Sequence, residues 1–219
     1  MMANKKLIIV LALFLSAAYL LKVNSTSLQV MLGRMIWPKD SINRQIAENR
    51  ISRNFHSFFD RDPPRKIPSA SNIIVSPADG VIRDISVFGG YYRIVIHLSL
   101  WDVHVQRVPL DAFVSSISEE GTRDYQELTK DNYLAQAYQV VTMMNTAIGI
   151  VKVRQLTSFN AKRIQLFVKA GSYVKIGDRL GRILLGSTVV IELPKGAILT
   201  DILKAGNRVI AGETIIARF

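Results

Sequence analysis

Lys169-Ala170-Gly171-Ser172-Tyr173-Val174-Lys175-Ile176-Gly177-Asp178 recurs downstream as Lys204-Ala205-Gly206-Asn207-Arg208-Val209-Ile210-Ala211-Gly212-Glu213. In each copy a glycine, a valine and a second glycine stand at equal spacing: Gly171, Val174 and Gly177, then Gly206, Val209 and Gly212. Glycine reaches positive φ without steric cost, so this spacing predicts short strands joined by tight turns, with the valine buried. Two such units packed face to face make a small β-sandwich. Upstream, Tyr92 to Leu98 alternates and predicts a strand with Ile94, Ile96 and Leu98 on one face. Short strands dominate from Ile73 onward, and Arg61-Asp62-Pro63-Pro64-Arg65 marks the change from a helical to a β pattern. Helix is sparse beyond that point: Tyr125 to Tyr138 is one candidate, and Phe159 to Leu166 holds a short helical turn. The fold class is mainly β with minor helix.

The paired units are similar to lipoyl and biotinyl carrier domains, so a lipoyl/biotinyl-like β-sandwich is expected. Such a fold says nothing by itself about chemistry. The chain divides into residues 1–66, an N-terminal anchor with a basic membrane-proximal segment, and residues 67–219, the β domain. Leu7 to Leu21 is an uncharged apolar run bracketed by Lys5-Lys6 and Lys22. It falls short of the roughly 20 residues that cross a bilayer as a helix, but snorkelling lysines extend it. The residues after it, Lys22-Val23-Asn24-Ser25-Thr26, make a poor signal-peptide cleavage site, so an uncleaved membrane-anchor helix is expected. A second apolar patch, Leu28 to Trp37, is too short and too polar to span and suits the interface, with Trp37 at headgroup level. Basic residues following the anchor place the β domain on the cytoplasmic side of the cell membrane.

Composition narrows the partners. The 219 residues carry a net charge of +11 and no cysteine. The absence of cysteine excludes disulfide scaffolding, a thiol nucleophile and thiolate metal sites. The basic balance suits nucleic acid, an anionic membrane or an acidic small substrate. The sequence shows no basic recognition helix, aromatic stacking platform or zinc motif, so no nucleic-acid partner is expected and an anionic membrane surface is. With three histidines and no ligand-spaced cluster, no metal is expected.

The chemistry-bearing stretches are Ser76-Pro77-Ala78-Asp79-Gly80, Asp102-Val103-His104-Val105-Gln106-Arg107-Val108-Pro109, Gln155, Ala161-Lys162-Arg163-Ile164, Gly177-Asp178-Arg179-Leu180-Gly181-Arg182-Ile183, and Leu185-Gly186-Ser187-Thr188. Each is bland alone. Gly186-Ser187 reads locally as a β-bend, Asp79-Gly80 as a hairpin turn, and His104 as a structural histidine at a strand end.

Taken together and in this order, they resemble the phosphatidylserine decarboxylase family, in particular its short bacterial and archaeal branch, over roughly residues 70 to 195. The resemblance implies a proenzyme that cuts itself between Gly186 and Ser187 into a beta chain, 1–186, and an alpha chain, 187–219. Ser187 then becomes a covalent pyruvoyl cofactor, whose ketone forms a Schiff base with phosphatidylserine and yields phosphatidylethanolamine. By the same resemblance His104 is the acid/base and Asp79 orients that base or polarises the cleavage site. Arg107 stands where the longer branch carries a second histidine. It is the candidate for holding the substrate carboxylate or phosphate by bidentate hydrogen bonding. His56 and His97 fall in no matching motif and read as structural. The family's short Asn-Glu-Arg element is not evident near Asn132 to Gln139, and Leu156-Thr157-Ser158-Phe159-Asn160 replaces the usual small apolar stretch after Gln155. Thr188 after the serine resembles the longer branch. Alternatives from other classes are a non-catalytic membrane-anchored lipoyl-like adaptor and an inactive lipid-binding homologue. A homo-oligomer is compatible with the sequence.

Overall fold

Pro38 and the Pro63-Pro64 pair punctuate the helical part of the chain in the computed structural model, which describes residues 26–121, 136–157, 164–184 and 187–219. The chain forms two compact units, Met1–Arg50 and Ile51–Phe219. In the first, α1 (Thr26–Ile36) ends before Pro38, which N-caps α2 (Lys39–Ala47) with φ −58° and ψ 144°. Proline has no N–H to continue α1 and its fixed φ suits a helix start. Met31, Met35 and Ile36 of α1 are exposed. No described helix is long and apolar enough to cross a membrane, and the apolar run Leu7 to Leu21 lies outside the described residues.

The second unit opens with α3 (Arg53–Phe59). The side chain of Ser52 caps it by accepting from the Phe55 N–H at 3.3 Å, and Phe55 and Phe59 form its buried face. Strands follow, as the pattern change near residue 61 predicts: β1 (Ile73–Val75), β2 (Gly80–Phe88), β3 (Tyr91–Leu98), β4 (Val105–Arg107), β5 (Ala112–Glu120), β6 (Gln139–Thr146), β7 (Gly149–Thr157), β8 (Ile164–Leu166), β9 (Tyr173–Val174), β10 (Arg179–Ile183), β11 (Ser187–Pro194), β12 (Ile198–Leu199), β13 (Arg208–Val209) and β14 (Ile215–Arg218). The unit is a mainly β domain built on a curled sheet.

Eight strands make that sheet, in the order β13-β2-β3-β11-β7-β6-β5-β9. The two repeat strands, β9 and β13, are its two edges. Gly171, Gly177, Gly206 and Gly212 all take positive φ, between 75° and 93°, and Val174 and Val209 are buried. The repeat therefore builds two matching edge strands, each between two glycine turns, one pairing with β5 and the other with β2. Smaller sheets β1-β14-β12 and β4-β10-β8 pack beside it. The main core holds Ile94, Ile96 and Leu98 from β3, Val153 from β7 and Val189 and Ile191 from β11. Ile94, Ile96 and Leu98 share that core as the alternation along Tyr92 to Leu98 predicts, while Val95 between them is also buried, in a smaller cluster with Ala137, Leu156 and Val190.

Two local expectations fall partly on residues outside the described ones. Of the expected turn from Phe159 to Leu166, residues 159–163 lie outside the described residues, and Ile164 to Leu166 form β8 through backbone pairing with β10 (Gly181 opposite Leu166, Ile183 opposite Ile164). Of the expected helix from Tyr125 to Tyr138, residues 125–135 lie outside the described residues, and Tyr138 itself leads into β6. The segment around Pro63-Pro64 is laced to the β domain by ion pairs. Asp60 meets Arg182 at 3.2 Å, Arg65 meets Asp79 at 3.1 Å, and Asp62 pairs with both Arg107 and Arg179.

Candidate active site

Between β1 and β2 the chain makes a compact turn in which the Ser76 hydroxyl donates to the Ala78 carbonyl at 2.7 Å. The turn carries Asp79 into the interior, fully buried. Gly80 follows at φ +152°, and a Cβ there would come within 2.4 Å of the His97 carbonyl, so only glycine fits so close to β3. Asp79 Oδ1 accepts from the Ala211 N–H at 2.8 Å and pairs with Arg65, while Oδ2 has no partner among the described residues. Burial pushes the Asp79 carboxyl up from its ordinary value, against the opposing charge of Arg65.

The loop from β3 to β4 presents His104. Asp102 shapes it: its Oδ2 accepts from the Ser99 N–H at 2.7 Å and the Ser99 hydroxyl at 2.6 Å, and its Oδ1 pairs with Arg208. Burial alone would raise the Asp102 carboxyl. The Ser99 hydrogen bonds and the Arg208 charge outweigh it and hold the group below its ordinary value. His104 is fully buried, with Nδ1 at 2.9 Å from the Asp102 main-chain oxygen. A carbonyl only accepts, so Nδ1 carries the hydrogen and Nε2 presents a lone pair. That Nε2 is buried and has no partner among the described residues. Burial, outweighing the attraction of Asp102, lowers the His104 pKa to about 4. The imidazole is therefore a neutral base at pH 7. Its ring lies flat against Phe59, with centroids 4.0 Å apart.

The backbone carbonyl of His104 is held twice, by the Ile183 N–H at 3.2 Å and by Gln106 Nε2 at 2.8 Å. Gln155 Nε2 in turn donates to Gln106 Oε1 at 2.8 Å. This side-chain relay connects β4 to β7, the strand beside β11. Gln155 Oε1 and Thr157 Oγ1 are buried polar atoms without partners among the described residues. In backbone register Thr157 stands opposite Ser187, and Gln155 opposite Val189.

Ser187 begins β11 and is flanked in register by Leu98 of β3 and Thr157 of β7. Gly186 lies outside the described residues. Arg107 is nearly buried at the end of β4; it donates to the Gly177 carbonyl at 3.2 Å and pairs with Asp62. It lines an open groove of about 880 Å³ together with Phe167, Lys169, Tyr173, Arg179 and Arg182. Neither His104 nor Asp79 lines that groove. The structure thus brings His104 close to β10 and to the relay reaching β7, and sets Asp79 on Arg65 and the Ala211 N–H. No hydrogen bond joins Asp79 to His104. His56 and His97 are exposed, on α3 and β3.

Sequence reading missed Phe59, Arg65 and the Gln106–Gln155 relay as parts of this neighbourhood. Arg65 stood among other basic residues, and Phe59 lies far from His104 along the chain, so neither carried a local signal. Gln106 was visible only as one residue of the Asp102 to Pro109 motif.

Comparison with known proteins bears on the same elements. The family model described as phosphatidylserine decarboxylase matches residues 53–217. A phosphatidylserine decarboxylase proenzyme of Carboxydothermus hydrogenoformans is 37% identical over 178 residues, 75% of this chain and 79% of that one. Proteins of the same name from Chlorobaculum tepidum and Solibacter usitatus are each 34% identical, covering 75% of this chain and 77% and 78% of theirs.

Proposed function

The chain belongs to the phosphatidylserine decarboxylase family, and on that premise we propose that it is a proenzyme that cuts itself before Ser187 and decarboxylates phosphatidylserine to phosphatidylethanolamine. The observation that carries the reading is His104: a buried, neutral imidazole whose Nε2 lone pair has no partner among the described residues. Such a nitrogen is what activation of a serine hydroxyl requires. Ser187 Oγ attacks the Gly186 carbonyl carbon as His104 Nε2 takes its proton. The peptide C–N bond breaks, the proton passes to the Ser187 nitrogen, and an ester joins the two residues. Removal of the Ser187 α-proton expels the Gly186 carboxylate and leaves dehydroalanine. Water then displaces ammonia from its imine form, leaving the pyruvoyl group on the new N-terminus.

Thr157 and Gln155, in backbone register with Ser187 and Val189, suit such a group, and His104 and Asp79 bring matching chemistry. His104 Nε2, Asp79 Oδ2, Gln155 Oε1 and Thr157 Oγ1 are buried polar atoms still lacking partners among the described residues, which is unusual unless something polar meets them. When formed, the pyruvoyl ketone supplies an electron sink for departure of the substrate carboxylate. Asp79 acts on the cleavage site through its free Oδ2. Arg107 exchanges Asp62 for the phosphate or carboxylate of the headgroup entering the adjacent groove, a bidentate role that guanidinium geometry suits. The two repeat-derived edge strands make the domain lipoyl-like in plan. Leu7 to Leu21 anchors it to the membrane, with the β domain on the cytoplasmic side and the basic N-terminal segment facing anionic lipid.

A His104→Gln chain tests the assignment. It should stay uncut for hours under conditions where the parent chain is fully processed. Normal cutting, with lost release of carbon dioxide from phosphatidylserine vesicles, would instead confine His104 to turnover. Normal performance of both would remove it from the chemistry.

A further inference from the structure

The residues just before the β strands contribute to the site. We propose that Phe59, at the C-terminal end of α3, is a positioning residue for His104: its ring roofs the imidazole, fixes the plane of that ring and shields Nε2 from water. The proposal rests on the reading of His104 as the base.

Three observations carry it. The rings of Phe59 and His104 are stacked at 4.0 Å with 29° between their planes, and Phe59 is only 3% exposed. Phe59 is itself packed by Phe55, whose ring centroid lies 6.1 Å away, on a helix capped by Ser52. The end of α3 is also tied to the loop that carries His104. The Arg61 guanidinium donates to the Phe58 carbonyl at 2.8 Å and to the Trp101 carbonyl at 2.5 Å, and lies 3.9 Å over the Phe58 ring.

The Nδ1 hydrogen bond to the Asp102 carbonyl leaves the imidazole free to swing about that contact. A ring pressed against one face removes that freedom, and what remains is a single direction for Nε2. The same ring withholds water, so protonation of Nε2 would put a charge into an apolar enclosure. The charged and titratable groups around His104 are Asp102 on its own loop, Arg61 after α3 and His97 on β3. Asp102 favours protonation while Arg61 and His97 oppose it, so the charges partly offset and burial decides.

The experiment is a histidine-selective NMR titration of the full chain carrying Ser187→Ala, which reads His104 without any cleavage. With Phe59 in place, His104 should stay neutral, with hydrogen on Nδ1, down to pH 5. Adding Phe59→Leu should move its titration towards the ordinary value of about 6.5, and Phe59→Tyr, which keeps the ring, should not. In the chain with Ser187 intact, Phe59→Leu should then slow self-cleavage roughly tenfold at pH 5.5 and much less at pH 8, since the neutral fraction falls about tenfold for each unit below the pKa. Phe59→Met removes the ring with a side chain that fills irregular space, and replaces the leucine variant if that one does not fold. An unchanged His104 titration in a folded variant lacking the ring overturns the proposal. So does an equal loss of cleavage at every pH. Normal cutting by His104→Gln would sink the base assignment while leaving the titration result standing, so the two failures are told apart.

Discussion

Arg65 and Asp79 face each other across 3.1 Å with side chains 2% and 0% exposed. Removing one partner of a buried pair strands the other charge, at a cost of about 3–5 kcal/mol. Arg65→Met should lower stability by that order in urea unfolding of the uncut Ser187→Ala chain, and adding Asp79→Asn should recover a large part. Equal midpoints for parent and Arg65→Met would mean that the pair holds nothing. The candidate residues themselves were legible because Asp79 and His104 sit inside short ordered motifs. Their partners were not. Arg65 read as one more cation of a membrane-proximal run, and the bond that sets the His104 tautomer goes to a main-chain oxygen, which no side-chain pattern announces. The resemblance leaves Asp79 either to orient His104 or to polarise the cleavage site; in the fold Asp79 meets Arg65 and the Ala211 N–H, and His104 meets the Asp102 carbonyl.

At the scale of elements, the glycine-spaced repeat was the most legible feature, because glycine at positive φ is a local requirement written directly into sequence. Its copies became β9 and β13 with their valines buried. That they form opposite edges of one sheet was not legible, since pairing with β5 and β2 is non-local. The second glycine of each copy has a further duty. A Cβ at Gly177 would lie 2.3 Å from Ile67 Cδ1, and one at Gly212 3.0 Å from the same atom, so Ile67 is keyed against the second glycine turn of both copies. Gly171 has nothing within 4 Å of that position. Gly171→Ala should therefore cost about 1 kcal/mol, from backbone strain alone. Gly177→Ala should cost about 1–3 kcal/mol more, from overpacking against Ile67. Urea midpoints of the two variants check this, and equal losses would deny Ile67 its role. The same non-locality holds for β8, whose residues pair with β10.

Across the whole molecule, the placement of β11 gives the proposed cut its consequence. Ser187 opens a strand hydrogen-bonded on both sides, to β3 and β7, and the segment after it returns to pair as β13 with β2 and as β14 with β1. A chain cut before Ser187 keeps all of these pairings, so the two pieces should co-purify in buffer and part only in denaturant. Strand order, not the cleavage motif, makes this so, and it became readable only once the topology was known. Consumption of Ser187 to make the cofactor can be read from the intact masses of the purified, denatured protein. Two species are expected, one ending at Gly186 and one beginning at residue 187 with a ketone in place of its amine. A single uncut chain, with an ordinary serine at position 187, would contradict it.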